Sequence, residues 1–228
     1  MSPKVPRHIQ ERFDGGPTSA AWCTIGSIPA PPPEVHEGAG NGPLGPGSPR
    51  PLEVLRQVLA APLRPLRVVF DALQRFDTRF LNENGAGSVR HARARRDAAV
   101  AEHGLDRVFD GDWCGSAGQL LLRWYEQSAH PGRLVALGAG RIVLAGPVQR
   151  VAAREPHQLQ ILTEFTPDEA VLEDPLLGAH RHDRLRLRFS DGSWLVLVTD
   201  GSPSDIHWHL WGKERPPADA TGRRRRPG

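Results

Sequence analysis

The stretch that most constrains the fold lies near the end of the chain: RLRLRFSDGSWLVLVT, residues 184–199. Apolar and polar residues alternate on both sides of Asp191-Gly192, the period-two pattern of two half-buried strands. Asp-Gly suits a two-residue type I′ hairpin turn, whose two central residues both need positive φ. With the turn there, Phe189 faces Trp194, Leu187 faces Val196 and Leu185 faces Val198, and these six make one apolar face. Arg184, Arg186 and Arg188 then share the other face with Leu195, Leu197 and Thr199. A slip of one residue would carry the whole set to the wrong side, so this register is a specific expectation.

Other strands precede the hairpin. RLVALGAGRIVLAGPV, from Arg133, reads as two strands around a Gly-rich turn, HQLQILTEF as a further strand, and AVLED as a short one before Pro175. Thr166-Pro167-Asp168-Glu169 has the spacing of a capped turn. QLLLRWYEQ, from Gln119, fits a strand or a helix. After the hairpin, Ser202-Pro203-Ser204-Asp205 combines a capping residue, proline and an acid, so a short helix should follow and stop at Gly212.

The region before the strands is different. PLEVLRQVLAA reads as a short helix ended by Pro62. PLRVVFDALQRFDTRFL reads as a stronger one, with Leu66, Val69, Phe70, Leu73, Phe76 and Phe80 on one stripe and Arg67, Asp71, Arg75 and Arg79 on another. NENGAGS should break the helix. VRHARARRDAAVAEHG then forms an Ala/Arg-rich helix closed by Gly104, with too few apolar residues to dock firmly. Residues 1–50 and the tail 216–228 are rich in Pro, Gly or Arg and read as disordered. Gly and Pro, 24 and 22 of 228 residues, make up about a fifth of the chain, above the usual share.

The element order resembles bacterial pleckstrin-homology-like and GRAM-like domains. The residues that carry the likeness are RLVALGAGRIVLAG, LQILTEFTPDEAVLEDP, RLRLRFSDGSWLVLV and the tryptophan-bearing helix from Pro203 to Trp211. The resemblance implies an α+β fold, with a bent antiparallel sheet or partly open barrel closed by a C-terminal helix and preceded here by amphipathic helices. The expected organisation is a disordered arm over 1–50, a helical segment over 51–104, the β domain over 111–215 and a disordered basic tail over 216–228. It also implies a non-catalytic binding or scaffold module whose partner is a protein, an anionic membrane surface or a second copy of the chain.

The chemistry in the sequence is sparse. Arg184, Arg186 and Arg188, about 7 Å apart along one strand face, form the candidate anion-facing row. A competing reading has their stems lying over apolar surface beside Leu195 and Leu197, with another element covering the leucines. Gly138-Ala139-Gly140 lacks the third glycine of a dinucleotide fingerprint, and a strand follows it instead of a helix. Cys114, beside Trp113, reads as a buried structural cysteine. His180 and His182 would face the same way in a strand and so could chelate a metal, whereas His207 and His209 on a helix point apart and read as surface residues. An enzyme using Cys114 or the His180/His182 pair is the alternative class. A weak nucleic-acid binder using Arg90–Arg96 and Arg223–Arg226 is a third, disfavoured by the lack of aromatic platforms. No cofactor or resident metal is expected.

The bulk numbers fit these readings. The net charge is +3, hydrophobic residues make up 39%, and the only two cysteines are Cys23 and Cys114, too few for a disulfide framework. Lysine occurs only at Lys4 and Lys213. No leader-like apolar run and no span of the roughly 18 apolar residues of a membrane helix is present, so the expected location is cytoplasmic.

Overall fold

The computed structural model describes residues 3, 5–13, 16, 19–46, 83–147, 159–180, 182–201 and 203–213. The helices expected over 51–61 and 65–81, and the basic tail with Arg223–Arg226, lie outside these residues. Seven strands form one antiparallel sheet: β1 (Ser19–Thr24), β2 (Arg133–Gly138), β3 (Arg141–Pro147), β4 (Leu159–Phe165), β5 (Ala170–Glu173), β6 (Arg184–Phe189) and β7 (Trp194–Thr199). Among the described residues five helices accompany them: α1 (Arg7–Gln10), α2 (Pro33–Gly38), α3 (Glu83–Glu102), α4 (Ser116–Arg123) and α5 (Asp205–Leu210). The fold is α+β.

The strand order is β4-β3-β2-β1-β7-β6-β5. The two edge strands, β4 and β5, are consecutive in sequence and joined by residues 166–169. Laid flat, the outer strands of such a sheet would be roughly 29 Å apart, while a four-residue link reaches about 18 Å at most. The sheet must therefore curl. Phe165 of edge strand β4 and Phe189 of β6, next to the opposite edge, meet edge to face at 5.5 Å. The link is a tight turn in which the Thr166 N–H and hydroxyl both donate to Glu169 Oε2, at 2.8 and 2.9 Å.

The inner face carries the main core. Ala21, Cys23, Val135, Ile142, Leu144, Leu172, Leu185, Leu187, Phe189, Leu195 and Leu197 pack there with Ala117 and Leu121 of α4 and Ile206 of α5. α4 resolves the ambiguous QLLLR as helix. Its entry is fixed by the β6–β7 hairpin loop: Asp191 Oδ2 accepts from Ser116 N–H at 2.7 Å and Ser193 Oγ accepts from Ala117 N–H at 3.0 Å. Two otherwise unpaired helix donors are thus satisfied, and a carboxylate sits at the positive helix end. These hydrogen bonds from Ser193 and Ser116 hold the Asp191 carboxyl well below the usual carboxylate range.

Outer cover is supplied in two places. Ile9 and Phe13 lie over Ala20, Leu134, Ala136, Val143, Ala145 and Leu159 of β1–β4. Val100, Leu105 and Leu176 lie over Val196, with Trp194 beside them. This explains why β2 and β3 are buried on both faces.

Three expectations need correction. Residues 19–24, placed in a disordered arm from composition, form a central strand. β1 pairs with β2 from Ser19↔Leu137 to Cys23↔Arg133, and with β7 at Cys23↔Thr199 and Thr24↔Val198. A six-residue strand whose inner and outer residues are both covered offsets its ordering cost, whatever surrounds it.

The hairpin register is shifted by one residue. Arg188 pairs with Trp194, Leu187 with Leu195 and Leu185 with Leu197. The cause is a three-residue loop, 190–192. Phe189 N–H donates to Ser193 O at 2.8 Å, and only Gly192 in the loop takes positive φ, at 86°. Asp191 keeps ordinary backbone and uses its side chain to accept from Ser193 N–H at 2.9 Å and Ser193 Oγ–H at 2.6 Å. Trp194 and Val196 therefore stand on the arginine face, while Leu195 and Leu197 enter the core.

The third correction concerns NENGAGS, which starts no break: α3 runs through it from Glu83. The expected stop at Gly104 does form, with φ of 68°.

Candidate functional site: the arginine face

On β6, Leu185, Leu187 and Phe189 are buried and the three intervening arginines point outward. The row is not a free cationic strip. Arg186 Nε lies 2.7 Å from Glu173 Oε1 and Arg188 Nε lies 3.5 Å from Glu173 Oε2, so one carboxylate on the neighbouring strand serves both. Arg184 donates to the Leu105 carbonyl and lies 3.9 Å from Asp183. Trp194 is flanked by the guanidiniums of Arg107 and Arg186, each 5.9 Å from its ring centroid. These stems cover apolar surface, as one of the two readings of the row requires.

α3 reaches the same face. Its last turn docks through Ala99 and Val100. Arg90, Arg93 and Arg95 are exposed, as are the alanines between them. Asp97 lies 2.7 Å from Arg96 and 3.7 Å from Arg93. A cleft of about 300 Å³ separates α3 from the entry of β6, lined by Arg96, Asp97, Val100, His182, Asp183 and Arg184. One arginine from each of two arginine-rich segments far apart in sequence, Arg96 and Arg184, therefore lines this cleft.

Behind the cleft lies a buried polar network that the sequence reading missed. Asp174 opens the loop after β5. Its Oδ1 accepts from Leu176 N–H and from His182 Nε2–H, both at 2.9 Å. Its Oδ2 accepts from Gly178 N–H at 3.0 Å and from Trp211 Nε1–H at 2.6 Å. Burial opposes the charge of Asp174, yet the hydrogen bonds from His182 and Trp211 and the nearby imidazole hold its carboxyl down at about 2. His182 Nδ1 accepts from Arg184 N–H at 3.2 Å, which places its proton on Nε2.

His207 is fully buried. Its Nδ1 receives Ser204 N–H at 3.2 Å and the Ser204 hydroxyl at 2.8 Å. Its Nε2–H donates to Arg184 O at 3.2 Å. Ser204 is the N-cap of α5, and His207 takes the third helical position that Glu or Gln fills in an ordinary capping box. Burial, then the neighbouring His182, push His207 down to about 4. Asp174, Pro175 and Gly178 carry the composition of a side-chain-capped turn, and Ser204-x-x-His207 has capping spacing; both signals were present in the sequence.

The alternative candidates fare as follows. Cys114 is exposed, contrary to the expected burial, because the 110–115 turn is held by backbone-to-aspartate bonds: its own N–H donates to Asp112 Oδ1 at 2.9 Å. No described hydrogen bond joins it to a histidine. His182 is engaged at both ring nitrogens, by Asp174 and by Arg184 N–H, and His180 is partly buried. His207 is in the core and His209 at the surface, which corrects the reading of both as surface residues. Among the described residues no group of three or more His, Cys, Asp or Glu side chains is placed to hold a metal ion. No helix of the described residues is long and apolar enough to cross a membrane. Comparison with protein-family models, curated proteins and solved structures finds no match for this chain.

Proposed function

We propose that this chain is a non-catalytic binding or scaffold module built as a pleckstrin-homology-like, partly open barrel, and that it meets an anionic surface with the face formed by α3 and β6. Support for the likeness comes from the meander order of the seven strands, the short link between the two edge strands, and the packing of α5 against β1 at one end. The observation that carries the functional reading is the meeting of Arg96 and Arg184 at one cleft, with Arg90, Arg93 and Arg95 exposed further along the same helix. The exposed arginines of α3 supply most of the attraction, because Glu173 and Asp183 offset the β6 row.

The test is co-sedimentation with phosphatidylserine vesicles. Binding is expected at low salt and should weaken as salt screens the charges. A basic side chain near such a surface contributes about 1 kcal/mol. The Arg90→Gln, Arg93→Gln, Arg95→Gln variant should therefore partition on the order of 100-fold more weakly, while Arg186→Gln should matter little. Absence of sedimentation at low salt would refute the reading. Binding to short DNA or RNA in place of vesicles would reassign the same face to nucleic acid.

A further inference from the structure

We propose that His207, with His182 against its edge, forms an acid-sensitive latch that holds α5 against the sheet and releases it when the His207 ring gains a proton. The geometry demands a neutral His207 ring. Each Nδ1 accepts a backbone N–H, from Arg184 and Ser204 respectively, so a proton at either nitrogen would face another donor. The rings meet edge to face at 5.2 Å, and only one carboxylate in the network, Asp174, touches either of them. Protonating His207 breaks the hydrogen bond its Nδ1 accepts and sets a buried cation against the edge of a second imidazole.

The surrounding carboxylates, Asp174 and Asp183, relieve this only in part, because burial outweighs them. Asp174 comes from the loop, Asp183 and Arg184 from the entry of β6, and Arg96 and Asp97 from α3 across the cleft. α5 itself adds Asp205 in its first turn and the exposed His209, and β1, which α5 packs on, has no charged side chain between Ser19 and Thr24. His182 lines the cleft, which gives solvent protons a short route to the pair. The latch holds a definite cargo: Trp211 Nε1–H donates to Asp174, the Trp211 ring packs over Gly178, and Ile206 enters the main core. Opening it uncovers one end of the sheet's interior.

The sign follows from His207 lying below the ordinary histidine value of about 6.5. Docking is at full strength above that value and is lost as pH falls through it toward about 4. Asp174 titrates lower still and keeps its charge over this window.

Hydrogen exchange of the full chain at pH 7.5 and 5.0, expressed as protection factors, tests the latch. Protection across α5 should fall roughly 30-fold, the ratio set by a histidine depressed from about 6.5 to about 4, while β2 and β3 stay unchanged. In the H182Q/H207Q variant, whose amides can still donate to Asp174 and Arg184 O, the pH dependence should vanish. Equal loss in β2 and β3, or an unchanged response in the variant, would overturn the proposal. If that variant does not fold, nitrogen NMR of the wild-type imidazoles decides. At pH 5.5 the His207 ring should remain neutral with its proton on Nε2, and a charged ring with α5 still protected would overturn it.

Discussion

A chain lacking residues 1–25 is expected to lose its cooperative unfolding transition altogether. β1 lies in the middle of the sheet, and without it β2 and β7 both lose their ladder partner. The inner core loses Ala21, Cys23 and Ile25, and the outer face of β2 and β3 loses Ile9 and Phe13. Burying an Ile or Phe side chain stabilises by about 1.5–3 kcal/mol, so Ile9, Phe13 and Ile25 together remove a large part of the margin of roughly 5–15 kcal/mol that a domain has. Unpaired strand edges add to the cost, since each buried backbone group left without a partner is unfavourable by about 1–3 kcal/mol. Urea titration followed by circular dichroism should show a broad, non-sigmoidal change for the truncated chain. A sharp transition at the full-length midpoint would show that the segment is dispensable.

The second large effect is expected at Arg133. This residue starts β2 and is 1% exposed. Its guanidinium stacks on Trp124, 5.0 Å from the ring centroid. Its four described hydrogen bonds all go to carbonyls: two from Nη1, to His130 and Gly132, and two from Nη2, to Trp124 and Ser128. It therefore closes the end of α4 and the 124–132 loop from inside, where a cation also suits the negative helix end. Burial pushes it down to about 10, which still leaves it charged at neutral pH. Arg133→Met keeps much of the volume but leaves those carbonyls without donors, so a loss of about 3–5 kcal/mol is expected. For a chain of this size that corresponds to roughly 6–20 °C in Tm. Lysine should rescue little, because a single ammonium cannot reproduce the planar fork. A Tm within about 2 °C of wild type for Arg133→Met would contradict the assignment.

What the sequence disclosed follows from the range of the forces involved. Strands β2 to β7 were visible because alternation and turn residues are local signals, and α5 because of its proline and cap. The hairpin register was not, since Asp-Gly serves both two- and three-residue loops, and the choice depends on Asp191 reaching Ser116 from another element. β1 was hidden because composition averaged over fifty residues masks a short apolar run inside Pro/Gly-rich surroundings. A clue existed elsewhere: Leu134 to Leu137 and Ile142 to Ala145 are apolar on both faces, so something had to cover the outside, and Ile9 and Phe13 do. Among candidate site residues, the outward direction of Arg184, Arg186 and Arg188 was legible from alternation. The pairing of Arg186 and Arg188 with Glu173 was not, because it depends on how β5 lies against β6. Asp174, His182 and His207 come from a loop, a strand entry and a helix, and no local pattern joins them.

The placement of β1 is tested most directly by residue-resolved hydrogen exchange in the intact chain. Amides of β1 that donate into the ladders with β2 and β7 should be protected to the same degree as those of Leu134–Leu137, because they open only when the sheet opens. Exchange of the 19–24 amides at the rate of an unstructured peptide, with β2 and β7 still slow, would contradict a central strand.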